Sequence, residues 1–181
     1  PYTKLYKRKF LEENNIKFIN VNIGEDICFN IQANVLAKKV KIIDYVGYYW
    51  YTNMQSISNT SHKDIKNLEI EKMLNYSYNK VKEKNAINDS NSKYLELYYY
   101  FFIMWVLQYT TKKTKYKDMS KKYDELFKWL EERFPKYKKN KLIGITKPRG
   151  ERFSVRLMLY VFTIFHKLHM GKILVYVFSK R

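Results

Sequence analysis

The fold of the first third of this chain is set by residues 24–39, which read GEDICFNIQANVLAKK. A glycine followed by two acids and then an apolar periodic run is typical of a helix N-terminus. Unpaired backbone N–H groups and the helix dipole favour negative charge there. Ile27, Ile31 and Val35 recur every four residues, so one face of the helix is expected to pack. The sequence therefore predicts a helix from Ile27 to Lys39, with both acids at its N-terminal end.

Further short motifs stand on both sides of this helix, in a fixed order. Together they resemble the acceptor-side half of family 2 glycosyltransferases of the GT-A fold, and in particular the bacterial enzymes that build surface polysaccharides of the cell envelope. The resemblance covers residues 1–60 and is carried by seven motifs: Lys4-Leu5-Tyr6-Lys7-Arg8, Phe18, Gly24-Glu25-Asp26, Ala37-Lys38-Lys39, Ile43-Asp44, Tyr48-Tyr49-Trp50 and Ser56-Ile57-Ser58.

The resemblance implies a catalytic role for the two acids. Asp26 would be the general base that deprotonates an acceptor hydroxyl in an inverting hexosyl transfer, and Glu25 would orient Asp26 or contact the acceptor. A helix N-terminus suits this role because it keeps a carboxylate ionised and fixed in place. The alternative is structural: both acids simply stabilise the start of an ordinary helix.

The resemblance also implies substrate contacts. Lys4 would lie near a donor or acceptor phosphate, where a basic side chain stabilises the departing diphosphate, or else belongs to a solvated basic face. Tyr49 and Trp50 are expected to be half-buried strand residues; the alternative is that one of them lines the acceptor cleft and stacks on a sugar ring. Ser56 lies in a short polar loop that resembles the family's Asn-x-x-Ser-Ile segment.

The chain begins with Pro1 rather than with methionine, so we expect it to be a piece of a longer protein. The same resemblance places the nucleotide-binding half before Pro1. That half would supply an Asp-x-Asp motif holding Mg or Mn. The chain itself contains no Asp-x-Asp and only five glycines, without a Gly-rich phosphate loop. We therefore expect no cofactor in this part and no transfer activity from it alone, while the whole enzyme would bind a nucleotide sugar and a glycan acceptor.

The expected fold class is mostly α with a small β component (α+β), the acceptor-side fragment of a GT-A fold followed by a helical extension. Strands are predicted for Val40–Val46 and for the aromatic run that follows Gly47. The expected domains are 1–60, the end of the catalytic domain, and 61–181, a basic and aromatic helical region. Helices are predicted over 63–84, 94–109, 120–134 and 152–178, the last with a bend at Gly171. Ser120 is expected to cap the third of these helices, whose apolar stripe is Tyr123, Leu126, Phe127, Leu130 and Phe134.

The formal charge is +18, from 35 Lys and Arg against 17 Asp and Glu. Such a field favours anionic partners, either acidic membrane surfaces or nucleic acid. A non-enzymatic basic module that binds one of these is the alternative function. No nucleic-acid signature is present, so nucleic acid is the less favoured partner. The single cysteine, Cys28, falls on the apolar face of its helix and is expected to be buried.

The last predicted helix contains two apolar runs bracketed by basic residues. Neither run reaches the ~18 to 20 residues of a transmembrane helix, but the pattern is typical of a helix lying in a membrane interface. The alternative is that these faces pack inside the protein. With the lipid-linked acceptor of the resemblance, the pattern predicts a cytoplasmic protein held peripherally on the inner face of the cell membrane. The membrane-facing residues would be Arg152, Arg156, Tyr160, Phe165, Lys167 and Lys172.

Two histidines of this helix, His166 and His169, are three residues apart and would share a metal only if a third ligand were near. No third ligand stands at a suitable spacing, so the sequence predicts no metal site in this chain.

Overall fold

The computed structural model describes residues 3–49, 51, 64–109 and 114–180. This part of the chain forms seven α-helices and two short 3-10 helices. The α-helices are α1 (Arg8–Glu13), α2 (Glu25–Leu36), α3 (Ile70–Glu83), α4 (Ser92–Tyr109), α5 (Tyr116–Arg133), α6 (Phe153–Lys167) and α7 (Gly171–Ser179), and the 3-10 helices are Ile65–Asn67 and Tyr137–Lys139.

The predicted β component is wrong, and with it the α+β class and the GT-A fragment, because the described residues contain no sheet. Val40–Val46 is not a strand, and its side chains are exposed, Ile42 to 92% and Tyr45 to 77%. In the part of the chain that the structure describes, the only β-type pairing is an isolated bridge between Gly144 and Lys147. High β-propensity produces a strand only where a neighbouring strand completes the hydrogen bonds and covers a face. The described residues supply no such neighbour.

The first of two compact units comprises the described residues of 3–51 together with Glu69–Asn88. In this unit α2 packs against α3. Phe29 of α2 is buried, with its ring stacked on that of Phe18 at 4.5 Å and meeting the ring of Tyr6 edge-on at 5.3 Å. These ring contacts hold one face of α2 inward and thereby fix the direction of its first turn.

The second unit comprises residues 64–68 and the described residues of 89–180. Its central helix, α4, packs against α5, α6 and α7 and is apolar on nearly all sides, as expected for a helix surrounded by others. The predicted apolar stripe of α5 is confirmed as core: Tyr123, Leu126, Phe127 and Leu130 are buried. Aromatic rings from four elements fill this core.

Most of the predicted helices form, but several boundaries differ. The helix predicted over 94–109 is confirmed and begins two residues earlier. Ser120 lies inside α5 rather than at its N-terminus, because that helix begins at Tyr116. The helix predicted over 152–178 is two helices, separated by residues 168–170.

Three helices are followed by a residue in the left-handed conformation, a position that is usually glycine but here is not. Asn15 after α1, Asn85 after α3 and His169 after α6 have left-handed backbones, with φ of 49°, 50° and 60°. The backbone N–H of the next residue donates to the carbonyl five residues earlier, at 2.9, 3.0 and 2.7 Å respectively. This is the Schellman motif, which satisfies carbonyls that the helix leaves unpaired.

Candidate functional site

The two predicted catalytic acids lie in the first turn of α2, as the sequence predicts. Gly24 precedes the helix with φ 76°, and its carbonyl accepts the first helical hydrogen bond, from the Cys28 N–H at 2.8 Å. Asp26 is half-buried, and its Oδ1 accepts a hydrogen bond from the Ile27 N–H at 2.7 Å, while Glu25 is exposed. The Asp26 carboxylate is thus held by a backbone amide at the positive end of a helix.

The inner side of α2 anchors this turn. Cys28 is buried, as predicted, and burial raises the pKa of its thiol to about 11. The Gln32 side-chain amide donates to the Cys28 carbonyl at 3.1 Å and lies 3.5 Å from its sulfur. The buried inner face of α2 therefore holds the backbone that carries Asp26 in place, as a positioned proton acceptor requires.

The basic segment before α1 is attached to the same helix. The Tyr6 hydroxyl donates to Asn30 Oδ1 at 3.2 Å, and partial burial raises the pKa of Tyr6. Lys4 stands two residues before Tyr6 and is exposed. The geometry therefore supplies an exposed lysine on a segment that is tied to α2 by one ring and one hydroxyl.

The remaining predicted substrate contacts are not assembled around Asp26. Tyr49 is 78% exposed, and among the described residues no hydrogen bond or ion pair joins Tyr49 or Lys4 to Glu25 or Asp26. Trp50 and Ser56 lie outside the residues that the structure describes. The candidate site therefore consists of the first turn of α2 and of Lys4 on the segment before α1.

The residues predicted to face a membrane divide into two groups. Arg152 and Lys167 are exposed at the two ends of α6. The other four are partly buried: Tyr160 and Phe165 on α6, Arg156 beside the Thr146 carbonyl to which it donates at 3.2 Å, and Lys172 in an ion pair of 2.6 Å with Asp124. No helix of the described residues is both long enough and apolar enough to cross a bilayer.

His166 is a buried member of the second core rather than one of a metal-binding pair. Its Nδ1 is hydrogen-bonded to the Tyr123 hydroxyl and its Nε2 to the Tyr137 hydroxyl, and its ring stacks on Phe127 at 4.1 Å. A neutral imidazole has one N–H, so one tyrosine accepts and the other donates. His169 is exposed, and the described residues contain no group of His, Cys, Asp and Glu that could hold a metal.

The chain has no match among protein-family models, curated protein sequences or solved structures.

The second unit contains a cavity that was not predicted from the sequence. An open cavity of about 280 Å³ lies beside the N-terminal turns of α4, lined by Lys93, Glu96, Arg133 and Phe134 among others. Glu96 is buried, and this burial raises the pKa of its carboxyl group, while a hydrogen bond with Asn140 opposes the shift. Glu96 is the one acid in the apolar run 94–109, but nothing in the spacing of residues along the chain connects it with Arg133 at the end of α5.

Proposed function

We propose that this chain is part of an inverting glycosyltransferase that moves a sugar from a nucleotide-sugar donor to a surface-polysaccharide or lipid-linked acceptor. The observation that carries the proposal is the Asp26 carboxylate, fixed at the N-terminus of α2 by a backbone N–H at 2.7 Å. It belongs to the series of sequence motifs in residues 1–60 that resembles family 2 glycosyltransferases in content and in order along the chain. The geometry of the first turn supports a positioned proton acceptor, which this reaction needs.

The proposed reaction forms one bond and breaks one. The acceptor hydroxyl oxygen attacks the anomeric carbon while its proton moves to the Asp26 carboxylate. The bond between that carbon and the diphosphate oxygen breaks, and its electron pair leaves with the nucleotide diphosphate. Attack from the face opposite the leaving group inverts the anomeric configuration. Glu25, exposed one residue earlier, would contact the acceptor, and Lys4 would offset charge on the diphosphate.

The resemblance implies a divalent metal, Mg or Mn, that neutralises the diphosphate. The described residues offer no carboxylate or histidine cluster to hold it, and the chain has no Asp-x-Asp sequence. No step is therefore assigned to a metal held by this chain.

The proposed location is the cytoplasmic face of the cell membrane, with the protein attached peripherally. A lipid-linked acceptor would be presented there, and the charge of +18 favours an acidic lipid surface. The second candidate function is a non-enzymatic basic module that binds the same surface. The observation in its favour is the absence of any acidic residue from Arg152 to Lys180.

Substitution at Asp26 tests the enzymatic proposal in the whole protein. Transfer is measured as release of nucleotide diphosphate from a panel of uridine-diphosphate sugars, with polyprenyl-diphosphate-linked sugars as acceptors. Asp26→Asn is expected to lower turnover on the order of 100- to 10,000-fold and to leave binding of the donor unchanged.

Glu71→Gln is the matched control, because Glu71 occupies the first turn of α3 in the same unit. It should retain turnover. Full turnover by the Asp26 variant, or an equal loss in both variants, would remove Asp26 from the mechanism.

A further inference from the structure

Helix α6 is apolar on two opposite faces. Its inner face is buried in the second core, where Leu159 and Phe162 are 0% and 1% exposed. Its outer face, together with Leu168 directly after the last helical residue, carries five apolar side chains that are between 37% and 61% exposed. We call these the outer stripe: Phe153, Leu157, Val161, Ile164 and Leu168.

The spacing of the outer stripe explains why it forms one surface. The intervals of four, four, three and four residues follow the helical repeat. At ~3.6 residues per turn the five side chains fall within a sector of about 80°, opposite the buried face. A helix that is apolar on both sides is typical of a buried helix or of one in contact with lipid. In the described residues the outer stripe is exposed to solvent, so it is available to contact a partner.

The charges beside the outer stripe indicate which partner it takes. From Arg152 to Lys180 the chain contains no Asp or Glu. Arg152 and Lys167 are exposed at the two ends of α6, where long basic side chains reach past an apolar surface to anionic groups. A second copy of this chain would bring the same positive charges to the contact, which disfavours self-association through this face. An anionic bilayer offers both an apolar layer and negative head groups.

We propose that the outer stripe of α6 docks into the head-group region of an anionic membrane, with the helix axis parallel to the surface. The apolar side chains enter the acyl boundary while Arg152 and Lys167 bind lipid phosphates. The inference rests on the proposed peripheral location, but not on proton abstraction by Asp26. It differs from the sequence-based assignment, because Tyr160 and Phe165 are half-buried and lie outside the outer stripe.

Vesicle flotation of the full chain tests the proposal. Vesicles of phosphatidylcholine alone are compared with vesicles containing phosphatidylglycerol, at low and at high salt. The full chain is expected to float with the anionic vesicles only. The triple variant Leu157→Gln, Val161→Gln, Ile164→Gln should bind on the order of 10-fold or more weakly. The pair Arg152→Gln, Lys167→Gln should lose roughly fivefold for each charge and should show a weaker salt dependence than the parent chain.

Matched controls lie elsewhere on the second unit. Ile145→Gln changes an apolar side chain that is 48% exposed, and the pair Lys128→Gln, Lys139→Gln removes two exposed charges. The apolar control should float like the parent chain, and the charge control should lose less binding than the α6 pair. Circular dichroism checks that each variant folds, with Leu157→Gln alone replacing the triple variant if the latter unfolds.

Three results would overturn the proposal. One is no flotation of the full chain, and another is undiminished flotation of the outer-stripe variants. The third is a dimer in light scattering that these variants dissociate, since a second copy would then cover the outer stripe. Asp26→Asn should float normally, so loss of sugar transfer and loss of membrane docking are separate outcomes.

Discussion

The Tyr123 hydroxyl of α5 lies against the α-carbon of Gly171, in the space that a side chain at this position would fill. The same hydroxyl is hydrogen-bonded to Nδ1 of His166. Gly171 begins α7, so the missing side chain lets that helix approach α5 closely while the tyrosine keeps its partner. One glycine thereby serves both helix packing and a buried hydrogen bond.

Gly171→Ala is expected to destabilise the second unit by roughly 1 to 3 kcal/mol, because the added methyl group overlaps the Tyr123 hydroxyl. Gly144→Ala is the matched control, since a Cβ there meets nothing within 4 Å. Urea denaturation of both variants measures the difference. Equal stability of the two variants would show that α7 does not depend on this close approach.

Tyr100 and Thr163 form a buried hydrogen bond of 2.9 Å whose direction follows from a third group. The Thr163 hydroxyl donates to the Leu159 carbonyl at 2.7 Å, so Tyr100 donates to Thr163. Tyr100→Phe leaves the threonine satisfied and should cost about 1 kcal/mol, whereas Thr163→Val leaves a buried phenol without an acceptor and should cost about 1 to 3 kcal/mol. Unfolding of both single variants measures these costs, and a larger cost for Tyr100→Phe than for Thr163→Val would contradict the assigned direction.

His166 makes stability depend on pH. Burial, followed by the charges of Lys138 and His169, lowers its pKa from 6.5 to about 4. The native state then binds fewer protons than the unfolded state between these values. The contribution of neutral His166 is therefore complete above pH 6.5 and is lost as the pH falls toward 4. The expected loss is on the order of 3 kcal/mol.

Urea titrations between pH 4 and pH 7.5, spanning the pKa values of folded and unfolded His166, measure this slope. His166→Gln should flatten the dependence because it removes the titrating group while keeping polar atoms for Tyr123 and Tyr137. His169→Gln, at an exposed position, should leave most of the slope in place. A slope that survives in the His166 variant would assign the acid sensitivity to carboxylates.

His169 occupies a left-handed position at the end of α6 with φ 60°. His169→Gly should stabilise the second unit by roughly 0.5 to 1 kcal/mol, because glycine adopts this backbone without strain. Asn85→Gly after α3 should gain less, because asparagine tolerates the left-handed region better than histidine does. Thermal unfolding compares the two, and destabilisation by His169→Gly would mean that the side chain itself contributes to the packing.

Cys28 is buried, with a pKa raised to about 11. Its thiol should therefore resist a disulfide reagent at neutral pH in the native protein and react once the first unit opens. Because it is the only cysteine of the chain, the labelling rate reports the opening of that unit alone. Labelling as fast as that of a free thiol would contradict its burial.

Local rules in the sequence were enough to predict several elements. Gly24 with the following acids predicted the start of α2, and the stripe from Tyr123 to Leu130 predicted the buried face of α5. The strand prediction for Val40–Val46 failed because strand formation depends on a partner strand, which a single segment does not specify. Ser120 was a poor guide to the start of α5, since a capping residue type is also tolerated inside a helix.

The sequence alone determined the helical periodicity, the basic charge and the position of Asp26 in a first turn, because each depends on neighbouring residues along the chain. Only the tertiary structure decided that His166 lies between Tyr123 and Tyr137, that Glu96 lines a cavity with Arg133, and which face of α6 stays exposed. His166 is 43 positions from Tyr123 and 29 positions from Tyr137 along the chain. Packing between helices, rather than local spacing, sets such contacts. Helix packing also separated the apolar residues of α6 into a buried face and a free one.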